Sequence, residues 1–129
     1  MYMWWLLLMV TLVLDYFFLF LISGRVSKII FRIQGSKMIV DKMYASIVYL
    51  FLFLQLYYFI LLKKGTYVEA FVLGSTSYGI YEFTNMSLLK DWDYKLALID
   101  TLWGGILYTL SIYITRYIMT LNTSINTMV

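Results

Sequence analysis

The sequence contains long apolar runs, and these restrict the fold more than any other feature does. Residues 44–62 contain no charged side chain, and residues 2–22 contain only one, Asp15. A helix needs about 20 apolar residues to cross the roughly 30 Å hydrocarbon layer of a membrane. Further apolar runs follow at residues 67–85 and 96–119. We therefore expect one membrane domain of four spans over residues 1–129.

The composition supports this interpretation and indicates helices. Hydrophobic residues make up 63% of the chain and charged residues 13%, whereas a soluble domain has roughly 45–50% and about 25%. A soluble fold of this size could not bury so much apolar surface. Strands of a membrane barrel would alternate apolar and polar residues, and these runs do not alternate. The expected fold is all-α, a polytopic bundle of four transmembrane helices.

The composition also excludes several classes of site. The chain has no cysteine and no histidine, so disulfides, thiolate sites and histidine bases are absent. The formal net charge of +3 is too small, in so apolar a chain, to suggest nucleic acid as a partner. No nucleophile lies beside a base in the sequence. We predict no catalytic residue, no metal site and no cofactor, and the sequence favours a protein without enzymatic activity.

Basic residues predict the orientation of the chain. The first and third loops contain more lysine and arginine than the opposite side does. Because such residues favour the cytoplasmic side, we expect these two loops in the cytoplasm. Both termini then lie on the extracytoplasmic or luminal side.

The first loop also predicts a short amphipathic helix at the membrane surface. Its apolar residues fall at helical spacing, and Arg25, Lys28 and Arg32 lie on the opposite face. A helix of this kind lies in the headgroup layer and is attracted to anionic lipid. Gly35 is expected to end it. An ordinary basic loop that only sets the topology is the alternative.

Several polar side chains in the spans are predicted to converge. Asp15 lies roughly 12 Å from the first-loop side at 1.5 Å per residue, and Glu82 and Asn85 lie in the last turns of the third span. Asp100 lies in the first turns of the fourth span, which starts on that same side. The candidate ligand-binding cluster comprises Asp15, Tyr78, Glu82, Asn85, Asp100 and Trp103.

Three interpretations of this cluster are open. Carboxylates beside aromatic rings would suit a cationic or hydroxylated group such as an ammonium headgroup. The same side chains could instead hydrogen-bond to one another and only fix the packing of the helices. A site for Mg²⁺ or Ca²⁺ is a less favoured alternative, since these ions prefer oxygen ligands.

Small and aromatic residues predict further packing features. Small residues on the third and fourth spans allow two helices to approach closely; they are Ala70, Gly74, Ser75, Gly79, Gly104 and Gly105. Trp92 and Tyr94, in the third loop, fit an interfacial aromatic belt.

Residues 78–85, 88–92 and 97–104 resemble the predicted-membrane-protein family called domain of unknown function 2177. Asp15 also matches the pattern of that family, whose marked residues coincide with Asp15, Glu82, Asn85, Asp100 and Trp103. Members usually have aspartate at the position of Glu82. The resemblance implies a small four-span membrane protein and supplies no established reaction.

The sequence leaves three hypotheses for the function. The first is a membrane protein whose carboxylate cluster binds a lipid headgroup or a small polar ligand. The second is a structural component of a larger assembly, such as a membrane complex or a virion inner membrane. The third is a proton- or cation-coupled carrier, since ionisable residues in spans often mark transport paths. The expected partners are the lipid bilayer, anionic headgroups, and other membrane subunits or further copies of the chain.

Overall fold

The computed structural model describes residues 4–128, which form four helices and no strand. These helices are α1 (Trp4–Gln34), α2 (Lys42–Leu54), α3 (Tyr67–Leu88) and α4 (Tyr94–Met128); a π-helical segment, Gln55–Leu62, continues α2. The all-helical prediction is confirmed. Tyr2 and Met3, at the start of the predicted first span, lie outside the described residues.

Within residues 4–128, three helices are long and apolar enough to cross a membrane: Trp4–Gln34, Lys42–Leu62 and Tyr94–Met128. The fourth, α3, has 22 residues, which gives a length of about 33 Å at 1.5 Å per residue. It is less apolar than the others because it contains Glu69, Glu82 and several glycine, serine and threonine residues. The chain is thus a helical protein with several helices suited to a membrane.

The helix predicted in the first loop is the last part of α1. Residues 26–33 are helical, but they continue α1 and do not form a separate helix, because nothing between Ile22 and Gln34 stops it. Their apolar face packs on protein: Ile29 is buried against Trp92, Leu96 and Ala97. The helix ends before Gly35, whose positive φ of 74° suits a glycine.

Local capping explains where the next two helices begin. The Asp41 carboxylate accepts hydrogen bonds from the backbone N–H groups of Met43 and Tyr44 at the start of α2. Thr66 and Glu69 form a capping box at the start of α3. Each cap satisfies backbone donors that the first turn of a helix leaves free.

The small residues place α3 and α4 against each other as an antiparallel pair. Gly74 faces the backbone of Gly104, and Gly105 faces Ser75 and Phe71. A methyl group added at Gly74 would collide with the carbonyl oxygen of Gly104. Ala70 is fully buried at the same interface, and Gly79 lies near Thr101. Such close approach gives a long shared surface in which polar groups are shielded from lipid.

An apolar core joins all the helices, and apolar side chains also cover the outside. Leu7, Leu56, Leu107 and Ile112 are fully buried together. Large residues on the outer face of α1 are well exposed, for example Phe20 at 69%. An outer surface of this kind suits acyl chains, which solvate apolar groups.

Candidate functional site

Asp15 lies inside the bundle and is held by two aromatic donors. Its side chain is buried within α1. The Tyr49 hydroxyl donates a hydrogen bond to it from α2, and the Trp103 indole N–H donates another from α4 at 3.1 Å. Trp103 also stacks on Phe18, with the ring centres 4.5 Å apart. The carboxyl group therefore connects three helices.

Glu82 and Asp100 form a carboxyl pair between α3 and α4. Glu82 is only 2% exposed, and its carboxyl group lies close to that of Asp100. The Trp92 indole N–H donates a hydrogen bond to Glu82 at 2.7 Å. Asp15 lies close enough to Asp100 to act on it electrostatically. The structure thus brings the three acids that the sequence singles out into one region, here named the carboxyl cluster.

The other predicted site residues lie at different distances from this cluster. Tyr78 is close to both Asp15 and Asp100, and its ring lies edge-on to that of Tyr108. Asn85 lies beside Tyr81. In the described part of the chain, Asn85 makes no hydrogen bond to the three acids. The cluster therefore consists of Asp15, Glu82 and Asp100 with aromatic neighbours, and Asn85 is peripheral.

Two residues that donate hydrogen bonds to the carboxyl cluster, Tyr49 and Trp92, are not predicted from the sequence. Tyr49 lies on an uncharged span, and the sequence does not indicate which face of that span meets Asp15. Trp92 does not face outward as a residue of an interfacial belt would, because it is 7% exposed and its indole N–H contacts Glu82. Its position ten residues after Glu82, across a short turn, is the signal that could have suggested this contact. Tyr94 is 59% exposed, as an interfacial residue would be.

A second polar network lies nearer the middle of the bundle. The Gln55 side-chain oxygen, at the start of the π-helical segment, accepts hydrogen bonds from Tyr108 at 2.5 Å and from Ser77 at 3.2 Å. Ser111 and Thr115 follow Tyr108 along the same face of α4 and are fully buried. Their hydroxyl groups have no partner among residues 4–128. Polar groups thus continue from the carboxyl cluster towards the other end of α4.

The chemistry of the carboxyl cluster follows from its donors. Trp and Tyr supply uncharged N–H and O–H groups, and within residues 4–128 the one ion pair is Arg25–Asp93. The described residues contain no group of three side chains arranged to hold a metal ion, so the alternative of Mg²⁺ or Ca²⁺ gains no support. Carboxyl groups without a cation beside them can bind and release protons.

A separate groove lies at the surface on the side of the first and third loops. Its volume is about 480 Å³, and the residues along it come from the end of α1 and from residues 90–94. At its edge the Arg25 guanidinium contacts the Asp93 carboxylate at 2.5 Å. This contact holds the pKa of Asp93 below its usual range. The groove and the carboxyl cluster meet at Trp92, which borders both.

Comparisons with known proteins agree with this architecture. No curated protein and no solved structure matches the chain. The model of a family described as predicted membrane protein (DUF2177) matches residues 1–117. That range contains every acid and aromatic residue of the carboxyl cluster. The protein therefore belongs to the DUF2177 family of predicted membrane proteins.

Proposed function

We propose that the protein carries protons across the membrane and that its proton-binding site is the carboxyl pair of Glu82 and Asp100. The observation that carries the proposal is the close approach of these two carboxyl groups inside the bundle, where Glu82 is buried and the one ion pair among residues 4–128 lies elsewhere, at Arg25–Asp93. Two ionised carboxylates this close would repel each other, and burial away from water adds to that cost, so the pair is more stable when one of them carries a proton. We infer that the pair holds one proton.

The same contacts make an ammonium headgroup a less suitable ligand for the cluster. Asp15 already accepts hydrogen bonds from Tyr49 and Trp103, and Glu82 accepts one from Trp92. A cation of this size would need space beside these donors, whereas a proton adds no volume. Ionisable residues in membrane helices commonly serve as proton relays. The carrier hypothesis thus fits the geometry better than the hypothesis of a headgroup bound by the carboxylates.

The route away from the pair runs along α4. Asp100, Tyr108, Ser111 and Thr115 lie on one face of that helix, over about 22 Å at 1.5 Å per residue. Gln55 orients the Tyr108 hydroxyl by accepting its hydrogen bond. The unpartnered hydroxyls of Ser111 and Thr115 can donate to water and accept from it. Each transfer breaks one O–H bond and forms another, so one proton moves and no other group is consumed.

The proposal includes four spans and a defined orientation. Because α3 packs antiparallel to α4 through Gly74 and Gly104, we infer that it crosses the membrane beside α4. The first and third loops then lie on one side, together with the basic end of α1. The excess of lysine and arginine in these loops supports their placement in the cytoplasm.

Proton flux into liposomes tests the proposal. Purified protein is reconstituted in liposomes that contain a pH-sensitive dye, and a potassium diffusion potential drives proton entry. We expect acidification above that of protein-free liposomes. Asp100→Asn removes a group that binds a proton but keeps a similar shape, so its flux should fall to the protein-free level.

Asp91→Asn is the matched control, because Asp91 is an exposed acid in the third loop, outside the carboxyl cluster. This variant should keep the wild-type flux. Circular dichroism and gel filtration verify that both variants are folded. If liposomes with the wild-type protein acidified no faster than protein-free liposomes, the proposal would be overturned. A structural role, in which the cluster only holds the four helices together, would then be favoured.

A further inference from the structure

The groove between the end of α1 and the third loop has features that the carboxyl cluster does not explain. Four basic side chains lie along it, and they come from two separate parts of the chain: Arg25, Lys28, Arg32 and Lys90. Trp92 and Tyr94 complete the lining together with two acids and Ile29. A concave arrangement of cations beside aromatic rings suits an anion that carries an apolar part.

The charges in the groove are only partly balanced by protein. Arg25 is paired with Asp93 at 2.5 Å, and this pair also positions the start of α4, since Asp93 accepts a hydrogen bond from the Lys95 backbone N–H. Asp91 is the other acid in the groove. Lys28, Arg32 and Lys90 therefore leave an excess of positive charge on the groove.

The spacing of two of these cations adds a second argument. Lys28 and Arg32 are four residues apart on α1, so their side chains lie next to each other on one helix face. Like charges at this spacing repel and destabilise a helix. An anion bound between them would remove this repulsion, and the arginine fork suits the oxygens of a phosphate group.

The position of the groove identifies the kind of molecule that carries the anion. With 31 residues, α1 is about 46 Å long and exceeds the roughly 30 Å hydrocarbon layer. Its basic end therefore reaches the headgroup layer. Below the groove, Trp92 is buried in an apolar cluster with Ile29 and Leu96. A lipid headgroup meets these conditions, because its phosphate is polar and its acyl chains are apolar.

We propose that this groove binds the phosphate of an anionic membrane lipid, with Lys28, Arg32 and Lys90 as its cationic partners and Trp92 as its floor. The site is independent of proton transfer through Glu82 and Asp100, and neither proposal requires the other. It goes beyond general attraction of basic loops to the membrane, because it requires particular cations from α1 and from the third loop in one groove.

Lipid titration tests this proposal. Protein in an uncharged detergent is titrated with short-chain phosphatidylglycerol and with short-chain phosphatidylcholine, and the binding heat is measured. We expect phosphatidylglycerol to bind more tightly than phosphatidylcholine. The double variant Lys28→Gln/Arg32→Gln should weaken phosphatidylglycerol binding about tenfold or more, since each cation near a membrane surface contributes substantially to binding an anionic lipid.

The first loop offers a matched control. Lys37 and Lys42 lie on the same side of the membrane and are exposed, but they do not line the groove. Lys37→Gln/Lys42→Gln removes the same charge and should leave the affinity unchanged. The charge-preserving variant Lys28→Arg/Arg32→Lys should keep most of the binding, which separates loss of charge from loss of folding.

Three results would overturn the proposal. If Lys28→Gln/Arg32→Gln and Lys37→Gln/Lys42→Gln lost affinity for phosphatidylglycerol equally, the lipid would be attracted to the whole basic surface and not to the groove. Equal affinity for the two lipids would show that the headgroup charge is not recognised. Full competition by inorganic phosphate at concentrations similar to those of the lipid would assign the groove to free phosphate.

Discussion

Trp92 borders both polar regions on the first-loop side. Its indole N–H reaches Glu82, its ring lies edge-on to Tyr81, and its other side lies along the basic groove. An indole can do this because it combines a large apolar ring with a single donor. Through this hydrogen bond the carboxyl cluster positions Trp92, the floor of the groove. The proposed proton transfer and the proposed lipid binding are nevertheless separate.

At the scale of single residues, the sequence predicts which acids meet but not what holds them. Asp15, Glu82 and Asp100 can be assigned to one depth because residues along a membrane helix rise by about 1.5 Å each. Lateral contacts do not follow from that rise. Tyr49 and Trp92 therefore appear only in the structure, since no spacing shows which face of α2 meets α1 or how the third loop folds back.

Arg25 controls the ionisation of Asp93, which lies outside the membrane-spanning helices. The Arg25 guanidinium is the main cause that lowers the pKa of Asp93, and partial burial opposes it. Because the folded pKa is depressed, the stabilisation is present above the unfolded value of about 3.9 and is lost as the pH falls through the lower folded pKa. Arg25→Gln should raise the pKa of Asp93 towards that unfolded value.

The measurement is an NMR titration of the Asp93 carboxyl carbon in detergent micelles. Lys37→Gln serves as the control, because Lys37 is a first-loop cation outside the groove, and its titration curve should match that of the wild type. If Arg25→Gln left the Asp93 curve in place, the ion pair would not be the cause of the shift.

At the scale of helices, the most extensive contact between two helices in residues 4–128 is between α3 and α4. It depends on Gly74 and Gly104, where any added carbon atom meets backbone or a Tyr ring. The sequence predicts this pairing from small residues at helical spacing, because only such residues let two backbones touch. The sequence does not predict that α1 continues without a break to Gln34. A helix that leaves the membrane ends at a residue that stops it, and the edge of the lipid does not end it.

Gly74→Ala should weaken the α3–α4 pair. The added methyl group would collide with the Gly104 carbonyl oxygen, and overpacking of this kind costs typically 1–3 kcal/mol. We expect the free energy of unfolding in mixed detergent micelles to fall by about that amount. Gly24→Ala is the control, because a methyl group there has no neighbour within 4 Å and alanine favours a helix. Equal stability of the two variants would contradict the assigned packing.

At the scale of the whole molecule, composition and run length predict an all-helical membrane protein, and the structure and family membership agree. The number of spans is harder to predict, because α3 contains two acids and many small polar residues that lower its hydropathy. These residues can lie in α3 because α4 packs against it. Glu82 is buried, and α4 places its glycines against α3. A helix whose polar side is buried by a partner can cross a membrane without being apolar all around.

The arrangement of the loops about the membrane decides whether α3 is a fourth span. The chain contains no cysteine, so single substitutions give unambiguous labelling sites: Ser36→Cys in the first loop, Lys64→Cys in the second and Asp91→Cys in the third. With four spans, a membrane-impermeant maleimide added to intact vesicles should label Ser36→Cys and Asp91→Cys alike, and Lys64→Cys in the opposite manner. All three should react once detergent dissolves the membrane. If Lys64→Cys and Asp91→Cys were instead labelled alike, α3 would lie on one side of the membrane, and the carboxyl pair could not serve a path across it.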